Sequence, residues 1–302
     1  MMTKDLTLLF GDSLQANVPI APYTTARIGG TADALLIVRA KEELAAVLTT
    51  CWQNNIPFRL LGGGSNVLVS DNGIRELVIL NKAKSFQILP TPDGAIARAD
   101  SGVMISNFAH KLGAAGLTGF EWAATIPGTI GGAVYGNAGA YGGDINDSLH
   151  TAAILTPSGA QTLTANQMGY DYRSSILKRG ELYGVILEAE FFLKNGEPDQ
   201  IKNKIEMLTS KRKNSQPPGA SMGSMFKNPV GDYAGRLIEA CGLKGTKIGN
   251  AEISTVHGNF IVNNGNTSAL DVKSLIELVK TTVYDKFGIE LHLEVELIGD
   301  WK

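Results

Sequence analysis

The sequence lacks the patterns that mark secreted, metal-binding or membrane-spanning proteins. Its 302 residues include only two cysteines, which excludes a disulfide framework. No CxxC, HExxH or EF-hand pattern occurs, so we expect no metal site. No apolar run approaches the roughly 20 residues of a membrane span, and no small-residue cleavage site follows the first residues. We therefore expect a cytoplasmic protein.

Charged residues are also scarce. Asp, Glu, Lys and Arg make up 19% of the chain, and the formal net charge is −2. This balance gives no reason to expect nucleic acid or a membrane as a partner, and we expect a monomer. Cys51 falls on the apolar face of a predicted helix and Cys241 near the end of another. Both are predicted to be buried free thiols.

Glycine, by contrast, is abundant, with 35 residues. Seven of the eighteen residues from Ile126 to Gly143 are glycine, and none of the eighteen is charged. Glycines at this density let the backbone approach a ligand or another backbone closely. Thr125 can cap a helix start with Pro127 in its first turn, and such an N-terminus attracts anions. This stretch is predicted to bind a ligand that carries phosphates.

A second glycine loop, Gly62 to Asn66, lies between two short apolar runs that are predicted strands. The backbone N–H groups of the loop, with Ser65 and Asn66, can form a nest for phosphate. The loop lacks the lysine and the spacing of a P-loop, and it is not the dinucleotide-binding fingerprint. A tight turn without any ligand is the alternative.

Predicted strands and helices are mixed without strict alternation, which is typical of α+β layers rather than a doubly wound sheet. Apolar residues at helical spacing predict helices near residues 42–53, 105–116, 199–212, 233–241 and 268–283. Ser268 and Asp271 have the spacing of a capping box, which predicts the start of the last of these helices. A long loop is predicted over Lys213 to Ser224. The alternation from Leu291 to Ile298 predicts a half-buried strand. A change in composition near residues 194–198 predicts a domain boundary there.

Six motifs in order resemble those of one family. They are Arg27-Ile28-Gly29-Gly30, Leu61-Gly62-Gly63-Gly64-Ser65-Asn66, Ile126-Pro127-Gly128-Thr129 through Gly142, Tyr172-Arg173-x-Ser175, Gly223-Ser224-x-Phe226-Lys227-Asn228-Pro229 and Glu294-Val295-x-x-Ile298-Gly299. By these motifs the chain resembles the UDP-N-acetylenolpyruvoylglucosamine reductases, in their shorter type II form. Tyr23 and Ala124 stand where the family usually has Asn and Gly.

The resemblance implies an α+β fold with a two-lobed FAD-binding domain of the vanillyl-alcohol-oxidase-like (PCMH) class over residues 1–196. This domain would be split near residue 70 and followed by a smaller α/β substrate-binding domain over residues 197–302. The implied FAD-binding residues are Leu61, Gly62, Gly63, Gly64, Ser65, Asn66, Thr125, Ile126, Pro127, Gly128, Gly131, Gly132, Asn137, Gly139, Ala140 and Tyr141.

The resemblance also implies the reaction. NADPH reduces bound FAD, and the reduced flavin passes hydride to the vinyl carbon of UDP-N-acetylglucosamine enolpyruvate, giving UDP-N-acetylmuramate for peptidoglycan. The enolate that develops needs a cationic clamp and a proton donor. By resemblance, Ser224 is the proton donor, and Arg173 and Glu294 stabilise the enol intermediate. Lys227, Asn228 and His257 are implied to bind substrate.

The residues alone also permit plainer interpretations. Arg173 can be a surface arginine paired with Asp171, and Ser224 a turn serine. Glu294 can belong to a solvated strand face. Asn228 can be a turn residue, and His257 a structural histidine.

Two other functions stay open at this point. One is an FAD-dependent oxidase of the same fold, which would reoxidise rapidly with oxygen. The other is a non-catalytic nucleotide-binding module, in which the glycine loops bind phosphate and the catalytic set has no shared role.

Overall fold

The computed structural model describes residues 3–302, with side chains from Leu6 onward. The chain forms two compact units. Unit 1 comprises Met1–Leu35, Gly64–Val78 and Arg212–Lys302, and unit 2 comprises Leu36–Gly63 and Ile79–Lys211. Among the described residues, no helix is both long and apolar enough to cross a membrane.

Helices and strands are mixed along the chain, as predicted. The helices are α1 (Thr3–Phe10), α2 (Lys41–Gln53), α3 (Ile105–Ala114), α4 (Ile130–Gly136), α5 (Pro198–Ser215), α6 (Ala234–Ala240) and α7 (Ala269–Phe287). The strands are β1 (Leu14–Pro19), β2 (Thr31–Val38), β3 (Phe58–Leu61), β4 (Val67–Val69), β5 (Ile74–Asn81), β6 (Phe86–Thr91), β7 (Gly94–Asp100), β8 (Leu117–Thr118), β9 (Gly139–Ala140), β10 (Gly143–Asp144), β11 (Leu149–Thr156), β12 (Gly159–Thr164), β13 (Val185–Asn195), β14 (Ala220–Ser224), β15 (Lys247–Ile248), β16 (Ala251–Ile253), β17 (Phe260–Asn263) and β18 (Glu296–Ile298).

The largest sheet lies in unit 2 and has the strand order β12-β11-β13-β7-β6, with β8 paired to β13. Its pairs are antiparallel. One face covers a core in which the rings of Phe108, Phe120 and Phe191 touch, with centroids 5.0 to 5.8 Å apart. Helices α3 and α4 contribute buried side chains to the same core, which gives the glycine-rich stretch around α4 a rigid support.

Unit 1 contains the antiparallel sheet β14-β17-β16-β15 and the parallel pair β18-β4. Helix α7 packs its apolar stripe into a core that also includes Leu68 and Phe226. The predicted capping box is confirmed, because Ser268 Oγ accepts from Asp271 N at 3.0 Å and Ser268 N donates to Asp271 Oδ2 at 3.3 Å. A third sheet has the order β1-β2-β5-β3.

The helix predicted to start at Thr125 begins later. Helix α4 starts at Ile130, and its N-cap is Thr129, whose Oγ1 accepts from Gly132 N at 3.5 Å. Gly128 has a φ of 108°, a conformation that residues inside an α-helix do not adopt. The helix therefore cannot begin before Gly128. The predicted cap at Thr125 and the first-turn position of Pro127 are wrong.

Two other element predictions are corrected. The loop expected over Lys213 to Ser224 shrinks to residues 216–219, because α5 continues through Ser215 and β14 begins at Ala220. The last strand covers only Glu296–Ile298. Before it, the backbone bends, since the N–H groups of residues 294 and 295 share one carbonyl acceptor. Glu294 therefore does not lie on a strand face with His292 and Glu296.

The compact units divide the chain differently from the predicted boundary at residues 196 and 197. Ile201 and Ile205 of α5 pack into the core of unit 2, so this helix belongs with the first part of the chain. The boundary between FAD-binding and substrate-binding functions stays a prediction. Cys51 is buried as predicted, whereas Cys241 is only half-buried, so the prediction for Cys241 is wrong.

Candidate active site

In unit 2 the two glycine loops lie backbone against backbone. A Cβ atom built on Gly63 would lie 2.8 Å from the Cα of Gly128, and one built on Gly62 would overlap the side chain of Thr129. Real Cβ atoms do not approach other atoms so closely. Glycine is therefore required at positions 62 and 63 by the close approach of Gly128 and Thr129.

A third loop, Ser101 to Val103, fixes the start of α4. Gly131 N donates to Ser101 O and Ile130 N donates to Val103 O, both at 2.8 Å. A Cβ atom on Gly131 would lie 2.8 Å from the Cβ of Ser101. By contrast, a Cβ atom on Gly132 would have only the Thr129 hydroxyl within 4 Å, at 3.8 Å. Gly132 therefore faces open space, where a ligand could approach the backbone.

The side chains in this region fit the FAD that the sequence resemblance implies. Thr125 Oγ1 and Trp122 Nε1 are buried, and neither has a hydrogen-bond partner within the part of the chain that is described. Proteins leave few buried polar atoms unsatisfied, so such atoms indicate a missing partner. FAD carries carbonyl, ring nitrogen, hydroxyl and phosphate groups, which can bond both a hydroxyl and an indole N–H.

Asn137 ends α4 in the left-handed conformation, with a φ of 45°. Its side chain is buried and is used within the protein. Nδ2 donates to Asp144 Oδ2 at 3.3 Å and to Asp171 O at 3.2 Å, while Oδ1 accepts from Asn146 N at 3.1 Å. The amide of Asn137 therefore joins the end of α4 to residues 144–146 and to Asp171.

The next predicted FAD-binding residues form a tight hairpin. Ala140 pairs with Gly143 across β9 and β10. Tyr141 and Gly142, between them, both have positive φ angles, 55° and 86°, as in the type I′ turns that connect two-residue hairpins. Lys211 Nζ lies 5.4 Å from the centroid of the Tyr141 ring.

Arg173 lies at the C-terminal end of α4. Its Nη2 donates to Gly139 O at 2.6 Å, and its Nη1 donates to Asn137 O at 3.4 Å. Its Cζ lies 5.3 Å from the ring centroid of Tyr172. Asn137 is the C-cap of α4, and Gly139 lies in β9, just beyond the helix. The guanidinium is thus oriented by the backbone of the glycine-rich stretch.

Two neighbours of Arg173 cap the same helix. Tyr170 OH donates to Val134 O at 2.9 Å, and Ser175 Oγ donates to Tyr135 O at 2.6 Å. Burial, followed by the charge of Asp144, raises the pKa of the Tyr170 hydroxyl, which keeps it a donor. The sequence motif pointed to Arg173 in this segment, and no local pattern indicated that Tyr170 and Ser175 bond the end of α4.

In unit 1, Ser224 and Glu294 lie on two backbone segments that pair directly. Phe226 and Leu293 form an antiparallel bridge. Glu294 N donates to Met225 O at 2.8 Å. Both side chains are half-buried. The predicted proton donor and one predicted enol-stabilising residue are therefore brought together by main-chain bonds, which no spacing in the sequence reveals.

The last residue of the second glycine loop, Asn66, bonds the backbone segment that carries Glu294. Asn66 Nδ2 donates to Glu294 O at 3.0 Å, and Glu296 N donates to Asn66 O at 3.0 Å. A Cβ atom on Gly223 would lie 3.9 Å from Ser65 O. Gly64 turns the loop with a φ of 60°. The amide of Asn66, predicted to contact the cofactor, bonds the backbone that carries Glu294.

The predicted substrate-binding residues also lie in unit 1. Lys227 N donates to His292 O at 2.9 Å, which continues the pairing of the two segments. Asn228 is exposed, and its Oδ1 accepts from Ala234 N at 3.1 Å at the start of α6. This bond is the one expected of a turn residue.

His257 has a structural environment. Its Nδ1 accepts from Asn259 N at 3.2 Å, and its ring centroid lies 4.9 Å from that of Phe260. Burial lowers the pKa of His257 below its ordinary value of 6.5. The ring is therefore neutral at neutral pH, with its proton on Nε2.

The predicted site residues fall into two groups. Unit 2 holds Arg173 together with Leu61 to Gly63 and the FAD-binding residues from Thr125 to Tyr141. Unit 1 holds Gly64 to Asn66, the catalytic pair Ser224 and Glu294, and the three substrate-binding residues.

Comparison with protein families matches both parts of the chain. Residues 214–298 match the C-terminal domain of UDP-N-acetylenolpyruvoylglucosamine reductase, and residues 32–164 match an FAD binding domain. This order of domains confirms the predicted α+β architecture, with FAD as the cofactor.

Individual proteins are similar over nearly the whole chain. The UDP-N-acetylenolpyruvoylglucosamine reductase of Lachnoclostridium phytofermentans is 42% identical over 294 residues, which cover 96% of this chain and 94% of the relative. That of Clostridium novyi is 40% identical, with 97% and 95% covered. The crystal structure of the reductase (MurB) from Thermus caldophilus has a TM-score of 0.79 and 34% identity, with 94% and 98% covered. The chain therefore belongs to the UDP-N-acetylenolpyruvoylglucosamine reductase family, the FAD-dependent oxidoreductases of peptidoglycan synthesis.

Proposed function

We propose that this enzyme uses NADPH to reduce its FAD and then reduces UDP-N-acetylglucosamine enolpyruvate to UDP-N-acetylmuramate, with Ser224, Arg173 and Glu294 as its catalytic residues. Reduced FAD, when bound, supplies a hydride to the vinyl carbon of the substrate. The observation that carries the assignment is the direct pairing of the backbone segments that bear Ser224 and Glu294.

Ser224 gives its hydroxyl proton to the carbon beside the substrate carboxylate. Hydride addition at the vinyl carbon leaves negative charge on the neighbouring carbon, the one beside the carboxylate. This charge is delocalised into the carboxylate as an enolate, and one proton on that carbon completes the reduction. A serine hydroxyl is a weak acid, so the alkoxide that remains needs a nearby positive charge. Lys227, three residues along the same segment, is the proposed cation, and the alkoxide regains its proton from solvent.

Arg173 and Glu294 stabilise the enol form. A guanidinium fork can bind both oxygens of an enolate, and this fork is oriented beforehand by the carbonyl groups of Asn137 and Gly139. Donors that are fixed before the reaction do not reorganise as charge develops, which is the main source of electrostatic catalysis. Glu294 hydrogen-bonds the enol from the paired segment. Lys227, Asn228 and His257 are proposed to bind the substrate.

The test separates the two half-reactions by the absorbance of the flavin. The purified protein should be yellow, bleach on addition of NADPH without oxygen, and regain its colour on addition of UDP-N-acetylglucosamine enolpyruvate. Ser224→Ala should bleach at the wild-type rate and regain colour at least about 100-fold more slowly. Ser221→Ala, a serine on the same strand β14, is the matched control and should behave as wild type.

Three results would contradict the proposal. A folded protein that cannot be loaded with FAD would exclude a flavin reductase. Equal slowing of both half-reactions in Ser224→Ala would exclude the role of this serine as proton donor. Rapid recovery of colour with oxygen and formation of peroxide, without the enolpyruvyl sugar, would favour the oxidase.

A further inference from the structure

Asn259 is a buried polar residue to which the proposed mechanism gives no role. It lies just before β17, with only 3% of its surface exposed. Its backbone N–H donates to His257 Nδ1 at 3.2 Å, and its carbonyl accepts from Met225 N at 3.0 Å. Both ends of its side-chain amide also bond one residue of the segment that carries Ser224.

That residue is Phe226, which is fully buried. Phe226 N donates to Asn259 Oδ1 at 2.9 Å, and Asn259 Nδ2 donates to Phe226 O at 2.8 Å. Backbone N–H and C=O groups that are buried require partners. Regular pairing of β14 with β17 ends where Ser224 faces Phe260, so the amide replaces a strand for the next stretch of backbone.

The opposite side of the segment is bonded to the residues around Glu294. Met225 O accepts from Glu294 N at 2.8 Å, and Lys227 N donates to His292 O at 2.9 Å. The backbone from Met225 to Lys227 is therefore fixed from both sides. On the Asn259 side, the backbone carbonyl of Asn259 bonds Met225, whereas both bonds of Phe226 come from the Asn259 side chain.

Resting on the proposed function, we infer that Asn259 is a positioning residue, which sets the place of the Ser224 hydroxyl and the Lys227 ammonium through the backbone of Phe226. The amide touches neither substrate nor cofactor in this role. A displacement of about 1 Å in a reacting group can slow a reaction about 100-fold. Loss of the amide should therefore slow proton transfer without changing the reduction of the flavin by NADPH.

Asn259→Asp tests this inference, because only the protonated form of the new carboxyl group can donate a hydrogen bond to Phe226 O. The neutral carboxylic acid can accept from Phe226 N and donate to Phe226 O, as the amide does. The ionised carboxylate cannot donate and places negative charge against the Phe226 carbonyl. The recovery of flavin colour with UDP-N-acetylglucosamine enolpyruvate should be about 100-fold slower than wild type at high pH. It should approach the wild-type rate as the pH falls.

The rate of bleaching by NADPH, measured at each pH, is the internal reference and should match wild type throughout. Asn263→Asp introduces the same chemical change on β17, where the amide donates to Ala26 O at 2.8 Å instead. It should show no acid rescue. If Asn259→Asp does not retain FAD, Asn259→Ser, which can bond only one of the two Phe226 groups, is measured in the same way.

Equal slowing of both half-reactions would overturn the inference and make Asn259 a general structural residue. A wild-type ratio of the two rates at every pH would also overturn it. If wild-type enzyme itself does not pass electrons to the enolpyruvyl sugar, the proposed function fails, and this outcome is distinguishable because it requires no variant.

Discussion

At the scale of single residues, Arg173, the proposed enol-stabilising cation, is oriented by main-chain carbonyl groups. Its guanidinium donates to the carbonyl groups of Asn137 and Gly139, which follow the last turn of α4. These oxygens carry only partial negative charge. These two bonds fix the direction of the guanidinium beside the glycine-rich stretch.

Arg173→Lys should slow the recovery of flavin colour with substrate about 100-fold, because an ammonium cannot make the two-point contact. Bleaching by NADPH should be unchanged. Both rates are measured by rapid-mixing absorbance. Arg179→Lys, an exposed arginine in the same segment that pairs with Glu181 at 2.6 Å, is the control. Wild-type recovery in Arg173→Lys would exclude the fork as the clamp.

Glu294→Gln should also slow the substrate half-reaction, by about 100-fold if the carboxylate bonds the enol. The backbone of Glu294 makes its bonds to Met225 and Asn66 through N–H and C=O groups, so the substitution leaves these bonds intact. Glu296→Gln is the matched control two residues away and should keep full activity. Equal effects of the two substitutions in the same assay would show that neither carboxylate has a specific role.

At the scale of elements, α4 connects the FAD-binding region to Arg173. This helix has only seven residues, and a helix so short is not stable by itself. It is held at its start by the loop around Ser101 and Val103, and at its end by Tyr170 and Ser175. Its position therefore depends on bonds at both ends.

Tyr170→Phe should lower the free energy of unfolding by about 1–3 kcal/mol, because it leaves the Val134 carbonyl without its donor. Urea unfolding measures the loss. Tyr183→Phe is the control. Tyr183 is 65% exposed, and its hydroxyl accepts from Trp52 Nε1 at a longer distance, 3.3 Å. A loss below about 0.5 kcal/mol in Tyr170→Phe, typical of surface changes, would mean that water replaces the tyrosine hydroxyl.

Helices and strands were predicted well from the sequence where the residues of a single segment determine the local structure. The buried stripe of α7 and its capping box were predicted because apolar spacing and Ser268 with Asp271 are local signals. The start of α4 was wrong because two threonines, Thr125 and Thr129, each precede a plausible helix. The φ of Gly128 decides between them, and it depends on the loop packed against it.

The candidate site could be predicted only as a set of residues, and their roles stay a prediction. Motifs selected Ser224 and Glu294 as candidates, whereas the pairing of their segments depends on contacts between distant parts of the sequence. Asn259 was missed for the same reason. A single Asn before an apolar strand is a common pattern, and the role proposed for Asn259 rests on its contacts with Phe226.

At the scale of the whole molecule, the half-buried His257 makes the free energy of unfolding depend on pH. The pKa of His257 is lowered by burial from its ordinary 6.5, so below that pH the unfolded chain binds a proton more readily than the folded one. The free energy of unfolding contributed by His257 is therefore fully present above pH 6.5. It is lost progressively as the pH falls toward the lowered pKa.

His257→Gln should reduce this acid-induced loss. The wild-type free energy of unfolding should fall by up to about 1.4 kcal/mol per pH unit on account of His257, and this part should be absent in the variant. Urea unfolding at a series of pH values measures both proteins. Parallel curves for wild type and His257→Gln would contradict the assignment.

Unit 1 is built from three separate stretches of the chain, which affects its folding during synthesis on the ribosome. Unit 2 is complete in sequence once Lys211 has emerged. Unit 1 is not complete at that point. Its strand β4 pairs with β18, and its residues Ala26, Ile28 and Leu68 share a core with α7, and both β18 and α7 are made later. Domains generally fold as units during translation. Ala26, Ile28 and Leu68 therefore complete their packing only after α7 has been made, although they precede it by about two hundred residues in the chain.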